Sequence, residues 1–340
     1  MPSDTASRHH LRPMNVHVRK GSPAERKYRS MGGVPGLKPE QIAPGLPQTP
    51  SHDLIYHGGK TIPTLTFTNF YIAGDSWQAS DIQNIDWALA AAMTEPTLNN
   101  VMAQYFDGVP TSKFMSSQTL PGPVPAHFSQ GDVGQLVTQL NSQGRFSSFD
   151  LSSTVFNFVL PRGAVLNDNR SPGGTQGGRR VEQGRRGVPE EEEADSLNGL
   201  GGYHGSVLVA GKAIYYAIGV YSEAANGQTN GIPVFDVPWK NVVATFYHEL
   251  NEARTDPDVE QVIKGGKASL LGWTSRQGEE CGDFPVFEAN PLTEVFKEVP
   301  VTGGKTVPVQ FQYSNDDHGP QGPVPAPRPP AKTGKHHLVA

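Results

Sequence analysis

Glycine and proline are the feature that most restricts how this chain can fold. They account for 38 and 30 of its 340 residues, one fifth of the total, against roughly 12 % in an average protein. Both residues are poor helix formers, so the chain is not helical throughout. No Gly-X-Y period appears, which excludes a collagen-like fibre. Aromatic residues make up an ordinary 9 %, which predicts a packed core in part of the chain.

Three segments lack the periodic apolar pattern of a folded element. The first and last of these, residues 1–50 and 314–340, are rich in proline and are predicted to be disordered tails. The third, residues 169–199, places two Arg-Arg pairs at residues 179–180 and 185–186 ahead of four consecutive glutamates. It is predicted to be a flexible surface insertion, with a protease-sensitive activation loop as the alternative. One domain is therefore predicted over residues 51–313, interrupted by the insertion.

The apolar periodicity of residues 51–313 predicts a single α+β domain. Alternating β-branched and aromatic residues predict strands over residues 61–72 and 154–160, and a hairpin over residues 203–221. Helical spacing of apolar residues predicts helices over residues 98–106, 131–144 and 241–254, and another between Ser80 and Pro96.

Bulk composition excludes several classes of protein. The formal net charge is −5, which gives no basic surface for nucleic acid. No run of 18 apolar residues exists for a membrane span, and the polar first 20 residues lack the apolar stretch of a secretory signal. The single cysteine, Cys281, has no partner for an internal disulfide. The compartment stays undetermined at this point.

The predicted helix over residues 241–254 carries the chemistry. His248 and Glu252 are four residues apart and so project from one face, and imidazole and carboxylate are both good zinc ligands. Glu249 has the position of the general base in a His-Glu-x-x-His metallopeptidase helix, although the second histidine is here a glutamate. The alternative is a helix with a solvated glutamate face and one hydrogen-bonded histidine.

An acidic loop follows that helix. Residues 278–283 read Gly-Glu-Glu-Cys-Gly-Asp, and such crowded carboxylates are unfavourable unless they are solvated or neutralised by a cation. Cys281 is interpreted first as a buried apolar filler, with a metal ligand or an exposed thiol as alternatives. His204 is a further candidate ligand, but an imidazole hydrogen-bonded within the hairpin is the preferred interpretation.

Several segments resemble the EXORDIUM/phosphate-induced-like proteins and their bacterial and fungal relatives. Residues 201–206 followed by 214–218 look like the "GYH…YYA" segment of that family, and residues 247–257 are similar to its "HELxEAxTDP" helix. Gly272-Trp273 and residues 278–283 resemble its "GW…GEIGDxC" end, and residues 70–77 its first strand and turn. The resemblance covers most of residues 54–290. Relatives usually carry a secretion signal and several cysteines, and this chain departs from both patterns.

The resemblance implies a zincin-like domain with a mixed β-sheet and an active-site helix. It implies that His248 and Glu252 bind a metal, tentatively Zn²⁺, that Asp283 or Glu279 completes the site, and that Glu249 is the catalytic base. Plant members of the family are regarded mainly as extracellular growth-related proteins, and relatives of this kind are mostly secreted.

Two hypotheses from different classes follow. The first is a metal-dependent hydrolase, zinc peptidase-like, that takes a peptide or protein substrate along the edge of the strand over residues 213–221 by β-addition. The second is a non-catalytic binding or structural protein of extracellular type on the same fold, with the acidic groups held by hydrogen bonds or Ca²⁺. A serine hydrolase is disfavoured, because no Gly-x-Ser-x-Gly elbow follows a strand.

Overall fold

A computed structural model describes residues 16–32, 46–168 and 195–331, which form a mixed α+β structure. Within these residues the helices, in chain order, are α1 (Pro23–Gly32), α2 (Ala79–Thr94), α3 (Pro96–Met102), α4 (Gln130–Ser142), α5 (Pro238–Thr255), α6 (Val259–Ile263) and α7 (Asp283–Glu288). The strands are β1 (Val16–Val18), β2 (Ile55–Tyr56), β3 (Thr64–Tyr71), β4 (Thr111–Thr119), β5 (His127–Phe128), β6 (Thr154–Val159), β7 (Val165–Leu166), β8 (Leu200–Val209), β9 (Lys212–Gly219), β10 (Glu223–Ala225), β11 (Gln228–Asn230), β12 (Trp273–Thr274), β13 (Phe296–Pro300), β14 (Thr306–Gln310), β15 (Gln312–Ser314) and β16 (Gly319–Gln321).

The central element is a six-stranded sheet with the spatial order β1-β8-β9-β6-β3-β4. The pairs β4-β3, β3-β6 and β6-β9 are parallel, whereas β8 runs antiparallel to both β9 and β1. The predicted strands, hairpin and four helices are confirmed within a few residues. Strong periodicity in long segments explains this agreement.

Helices cover both faces of the sheet. One apolar cluster joins α2 and α5 to sheet residues that include Phe67, Val155 and Ala217. Another joins α4 to Phe156 and to neighbouring residues that point to the opposite face. Side chains of a strand alternate between faces, so the register of β8 and β9, with His204 opposite Ala217, places His204 on the face that α5 covers.

The predicted N-terminal tail is wrong for residues 16–32. These residues form β1, which extends the sheet beside β8, and α1. Val16 and Val18 are both buried. Two apolar side chains in a three-residue strand do not alter the composition of residues 1–50 enough to be noticed. The remaining residues of that prediction, apart from 46–50, lie outside the described part of the chain.

The predicted C-terminal tail is wrong up to Ala331. Strand β16 pairs with β15, and the backbone N–H groups of Val324, Arg328 and Ala331 donate to carbonyls of α3 and the residues just after it. Proline-rich chain can pack in this extended way because it needs few ladder hydrogen bonds. Of the predicted insertion, residues 195–199 form a capped turn, and residues 169–194, with both charged runs, lie outside the described residues.

The predicted substrate edge along residues 213–221 is also wrong. Strand β9 lies between β8 and β6 and is hydrogen-bonded on both sides. Beyond it, β8 takes β1 as its neighbour.

Among the described helices, none is both long enough and apolar enough to cross a membrane.

Candidate metal centre

Helix α5 is enclosed on every side by protein. Every side chain from residue 241 to residue 255 is buried, including three that carry the predicted chemistry, His248, Glu249 and Glu252, each at 0 % exposure. The predicted alternative of a solvated glutamate face is therefore wrong. Burying charged groups is costly unless a partner compensates, so the partners of these side chains decide what the helix does.

Two glycines allow other backbone segments to approach α5 closely. A Cβ on Gly202 of β8 would lie 3.2 Å from Glu249 Oε1 and 2.5 Å from a backbone oxygen of β9. A Cβ on Gly282 of the acidic loop would lie 2.3 Å from His248 Nδ1, closer than non-bonded atoms can approach. Strand β8 and the acidic loop thus both approach the His248–Glu249 turn of α5.

His248, Glu252 and Asp283 form the first group with the composition of a metal site. One donor atom from each of the three lies within 4.8 Å of the others. His248 Nε2 is 3.0 Å from Glu252 Oε2 and 4.0 Å from Asp283 Oδ1. None of these three atoms makes a hydrogen bond. Three of the four predicted ligands are therefore brought together.

The other polar atom of each ligand is held from behind. His248 Nδ1 lies 2.9 Å from Gln310 Oε1, Glu252 Oε1 accepts from Gly282 N at 3.0 Å, and Asp283 Oδ2 accepts from Glu280 N at 2.9 Å. Hydrogen bonds of this kind fix the orientation of metal ligands. Each side chain is locked, with its unpartnered atom turned toward the other two.

His204, Glu252 and Glu280 form a second group within the same 4.8 Å criterion. His204 Nδ1 lies 3.2 Å from Glu249 Oε2 and 3.7 Å from Glu252 Oε2. His204 Nε2 faces Glu280 Oε2 at 3.5 Å. The preferred interpretation of His204, a histidine bonded only within its hairpin, is wrong, because its ring reaches across to α5.

A third group, His17 with His248 and Glu249, does not suit one ion. The two imidazole rings are stacked, with centroids 4.0 Å apart and an interplanar angle of 18°. A metal lies in the plane of the ring that binds it, and two nearly parallel rings stacked in this way have no such position in common. His17 therefore covers His248 and does not share an ion with it.

Glu279, one of the predicted ligands, is engaged elsewhere. Its Oε2 accepts from Ser275 Oγ at 2.7 Å and lies 2.7 Å from His52 Nδ1. No donor group that suits a metal contains it among the described residues. The neighbouring Glu280 takes the place in the cluster that was predicted for Glu279.

Cys281 is buried, as the filler interpretation predicts. Burial raises the pKa of its thiol well above the usual value, and the thiol lies among apolar neighbours that include Met102 and Trp273. No metal-type group among the described residues contains it. A protonated thiol is a poor metal ligand, since the thiolate is the binding form.

We call the buried acidic groups of α5 and its loop the carboxylate cluster; its members are Glu249, Glu252, Asp256, Glu280 and Asp283, all at most 1 % exposed. Burial raises the pKa of Glu249 to about 8 and that of Asp256 to about 8. Burial, followed by the charge of Glu252, raises the pKa values of Glu280 and Asp283 well above their usual range. Without a cation the cluster holds protons that exposed carboxylates release.

Burial acts on the pKa values of the two histidines in the opposite direction from its effect on the carboxylates. Burial on its own lowers the pKa of His204 and His248, but neighbouring carboxylates outweigh it and raise both, mainly Glu249 for His204 and Glu252 for His248. For His17, burial followed by the charge of His248 lowers the pKa well below the usual value. The cluster therefore attracts positive charge strongly.

No family model, curated protein or solved structure matches this chain. The resemblance to the EXORDIUM/phosphate-induced-like family therefore stays a prediction.

Proposed function

We propose that this chain is a metal-dependent hydrolase of the zinc peptidase-like kind, built on a zincin-like domain. One observation carries the proposal. A histidine and two carboxylates from α5 and the acidic loop turn unpartnered, fully buried atoms toward one another while their other polar atoms are fixed. One histidine with two carboxylates is a donor set that suits Zn²⁺.

The roles of the residues follow from their positions. His248, Glu252 and Asp283 would hold the ion, which lowers the pKa of a bound water to near neutrality. Glu249 would accept the proton of that water, because its Oε1 is unpartnered while Oε2 is held by His204 at 3.2 Å. A general base contributes about 10²–10⁴-fold to such a reaction.

A peptide is the substrate class that the surroundings favour. Strand β1 lies extended along β8, pairs with it in antiparallel fashion, and brings His17 onto the ring of His248. The edge of β8 therefore accommodates an extended backbone directly above the proposed ion. A peptide substrate would take the position of β1 by β-addition, which requires β1 to move away first.

The purified full chain tests this proposal. After removal of metal by a chelator and reloading with Zn²⁺, elemental analysis should find bound zinc that His248→Ala reduces. Glu249→Gln should keep the zinc while hydrolysis of a fluorogenic peptide library falls by about 10²-fold or more. Zinc that is absent, or unaffected by His248→Ala, would overturn the proposal.

The complete burial of the cluster favours one second candidate, a protein in which the metal is structural. Closed sites of this kind contribute to folding and keep no open position for a substrate. The same Glu249→Gln variant separates the two candidates. A structural site predicts that neither the unaltered chain nor the variant hydrolyses peptides, and that the two zinc-loaded proteins have the same melting temperature.

A further inference from the structure

A single carboxylate, that of Glu252, belongs to both groups of donors. Glu252 Oε2 is 3.0 Å from His248 Nε2 on one side and 3.7 Å from His204 Nδ1 on the other, and it makes no hydrogen bond. The group His248/Glu252/Asp283 and the group His204/Glu252/Glu280 therefore share one carboxylate. A shared carboxylate is what joins two metal ions in a binuclear site.

Glu280 is the independent observation that points to a second ligand. Its side chain is 0 % exposed, and neither of its carboxylate oxygens has a hydrogen-bond partner. Protonation does not account for this, because a carboxylic acid still needs an acceptor for its O–H group and neither oxygen has one. A cation that both oxygens or one of them contacts would satisfy the group.

The histidine of the second group is prepared in the way metal-bound histidines are. Glu249 Oε2 lies 3.2 Å from His204 Nδ1, which leaves Nε2 on the side of Glu280 at 3.5 Å. A carboxylate behind a ligating imidazole fixes its tautomer and orientation. Glu249 would thus serve the second ion through His204 while its Oε1 makes no hydrogen bond.

Charge points in the same direction. The carboxylate cluster holds five acidic groups, and their ion-pair partners among the described residues are the imidazoles of His204 and His248. Arg254, the nearest arginine on the helix, directs its guanidinium to Asn99 and two backbone carbonyls instead. Once the carboxylates release their protons, one divalent cation offsets the charge of two of the five, and two cations offset four.

We infer that the cluster binds two divalent transition-metal ions, one in each donor group, bridged by Glu252. This inference rests on the proposed function for the first ion and adds His204 and Glu280 as ligands of a second. Mixed imidazole and carboxylate donors suit Zn²⁺ or Mn²⁺. In hydrolytic sites, paired metals stabilise the attacking and the leaving oxygen together.

Metal stoichiometry of the full chain tests the inference. The metal-free protein, titrated with Zn²⁺ and measured by elemental analysis after desalting, should hold two equivalents. His204→Ala and Glu280→Gln should each leave one equivalent, His248→Ala and Asp283→Asn should each leave one, and Glu252→Gln should leave none. Glu279→Gln is the matched control and should keep two, because Glu279 lies next to Glu280 but is bound to Ser275 and His52.

A spectroscopic measurement on the unaltered protein keeps the test decisive if a variant fails to fold. Loaded with Mn²⁺, the chain should give the exchange-coupled electron paramagnetic resonance spectrum of a bridged pair. One equivalent that both His248→Ala and Glu280→Gln abolish would mean a single ion and overturn the second site alone. One equivalent lost only with His248→Ala would do the same, whereas no bound metal at all would overturn the proposed function as well.

Discussion

Arg254 and His248 lie less than two turns apart on α5 and are equally inaccessible to solvent, yet their surroundings differ. The terminal nitrogens of Arg254 donate to Asn99 Oδ1 and to the carbonyls of Pro63 and Thr111. Around His248, carboxylate oxygens of Glu252 and Asp283 and its own Nε2 have no hydrogen-bond partner. The fold supplies acceptors for the terminal nitrogens of Arg254 and leaves the donor atoms beside His248 to a ligand.

The comparison separates two reasons for burying a charge. A buried charge whose terminal nitrogens all find acceptors is part of the architecture, as Arg254 is where it ties α5 to Pro63 before β3 and to Thr111 at the start of β4, although its Nε has no hydrogen-bond partner. A buried group with locked geometry and an unpartnered atom carries a free-energy cost in the metal-free protein. A bound cation would offset that cost. The absence of hydrogen-bond partners, more than burial, therefore identifies the functional residues of α5.

The largest expected effect on stability comes from replacing Arg254. Arg254→Met should lower the free energy of unfolding by about 3–5 kcal/mol, because it leaves buried acceptors without donors. Urea unfolding followed by tryptophan fluorescence measures the change. Zinc stoichiometry should be unaffected in the fraction that remains folded. A variant as stable as the unaltered chain would remove the contrast between Arg254 and the donor atoms beside His248.

Glu280→Met should have the opposite sign in the metal-free protein. Replacing a buried carboxylate whose oxygens make no hydrogen bond by an apolar side chain of similar volume should raise the free energy of unfolding by about 1–3 kcal/mol. The matched control is Glu260→Met, because Glu260 is equally buried but accepts from Ser206 N and Tyr216 Oη, so its loss should destabilise. Chemical unfolding in the presence of a chelator compares the two, and destabilisation by both would contradict the cation argument.

The pH dependence of stability should reverse with metal. The folded-state pKa values of Glu249 and Asp256 are raised to about 8 from usual values of 4.5 and 3.8, so the folded metal-free protein binds more protons than the unfolded chain up to that pH. Its free energy of unfolding therefore falls as pH rises toward 8. His17, whose pKa is lowered, opposes this only below about 6.5.

Melting temperatures at pH 6.5 and pH 8 check this prediction. The chelator-treated protein should melt several degrees lower at the higher pH, whereas the zinc-loaded protein should not, because metal binding to deprotonated ligands strengthens as pH rises. Equal pH dependence with and without zinc would argue that the carboxylate cluster is not where the metal binds.

The smallest effect is expected from the strand that covers the site. His17→Ala removes the ring stacked on His248 and should make zinc extraction by a chelator a few-fold faster with little change in melting temperature. His17→Phe keeps a flat ring at the same position and serves as the control. Extraction rates that do not differ between the two variants would mean that β1 does not limit access.

The helices and main strands were predictable because each is long and strongly periodic. The apolar face of α5 and the four-residue spacing of His248 and Glu252 follow from helical geometry, and both are present in the structure. Asp283 was predictable as a neighbour only through its acidic loop. The tails were mispredicted because β1 and β16 are three residues long each, too short for any periodic signal.

The choice between Glu279 and Glu280 shows where sequence reasoning stopped. The two are chemically identical neighbours, and only the folded loop directs one carboxylate to His52 and the other toward His204. His204 itself lies 44 or more residues before the helix motif and joins it only through the register of β8 and β9. No local pattern specifies either contact.

Local sequence thus determined the parts whose geometry depends on neighbouring residues: an α+β composition, the helix that carries His248, Glu249 and Glu252, and an acidic loop nearby. Tertiary packing decided which carboxylates are satisfied, which face one another, and that β1 closes over them. The physical reason is range, since helix and strand patterns act over a few residues, whereas the partners of a buried charge come from wherever the sheet and loops bring the chain together.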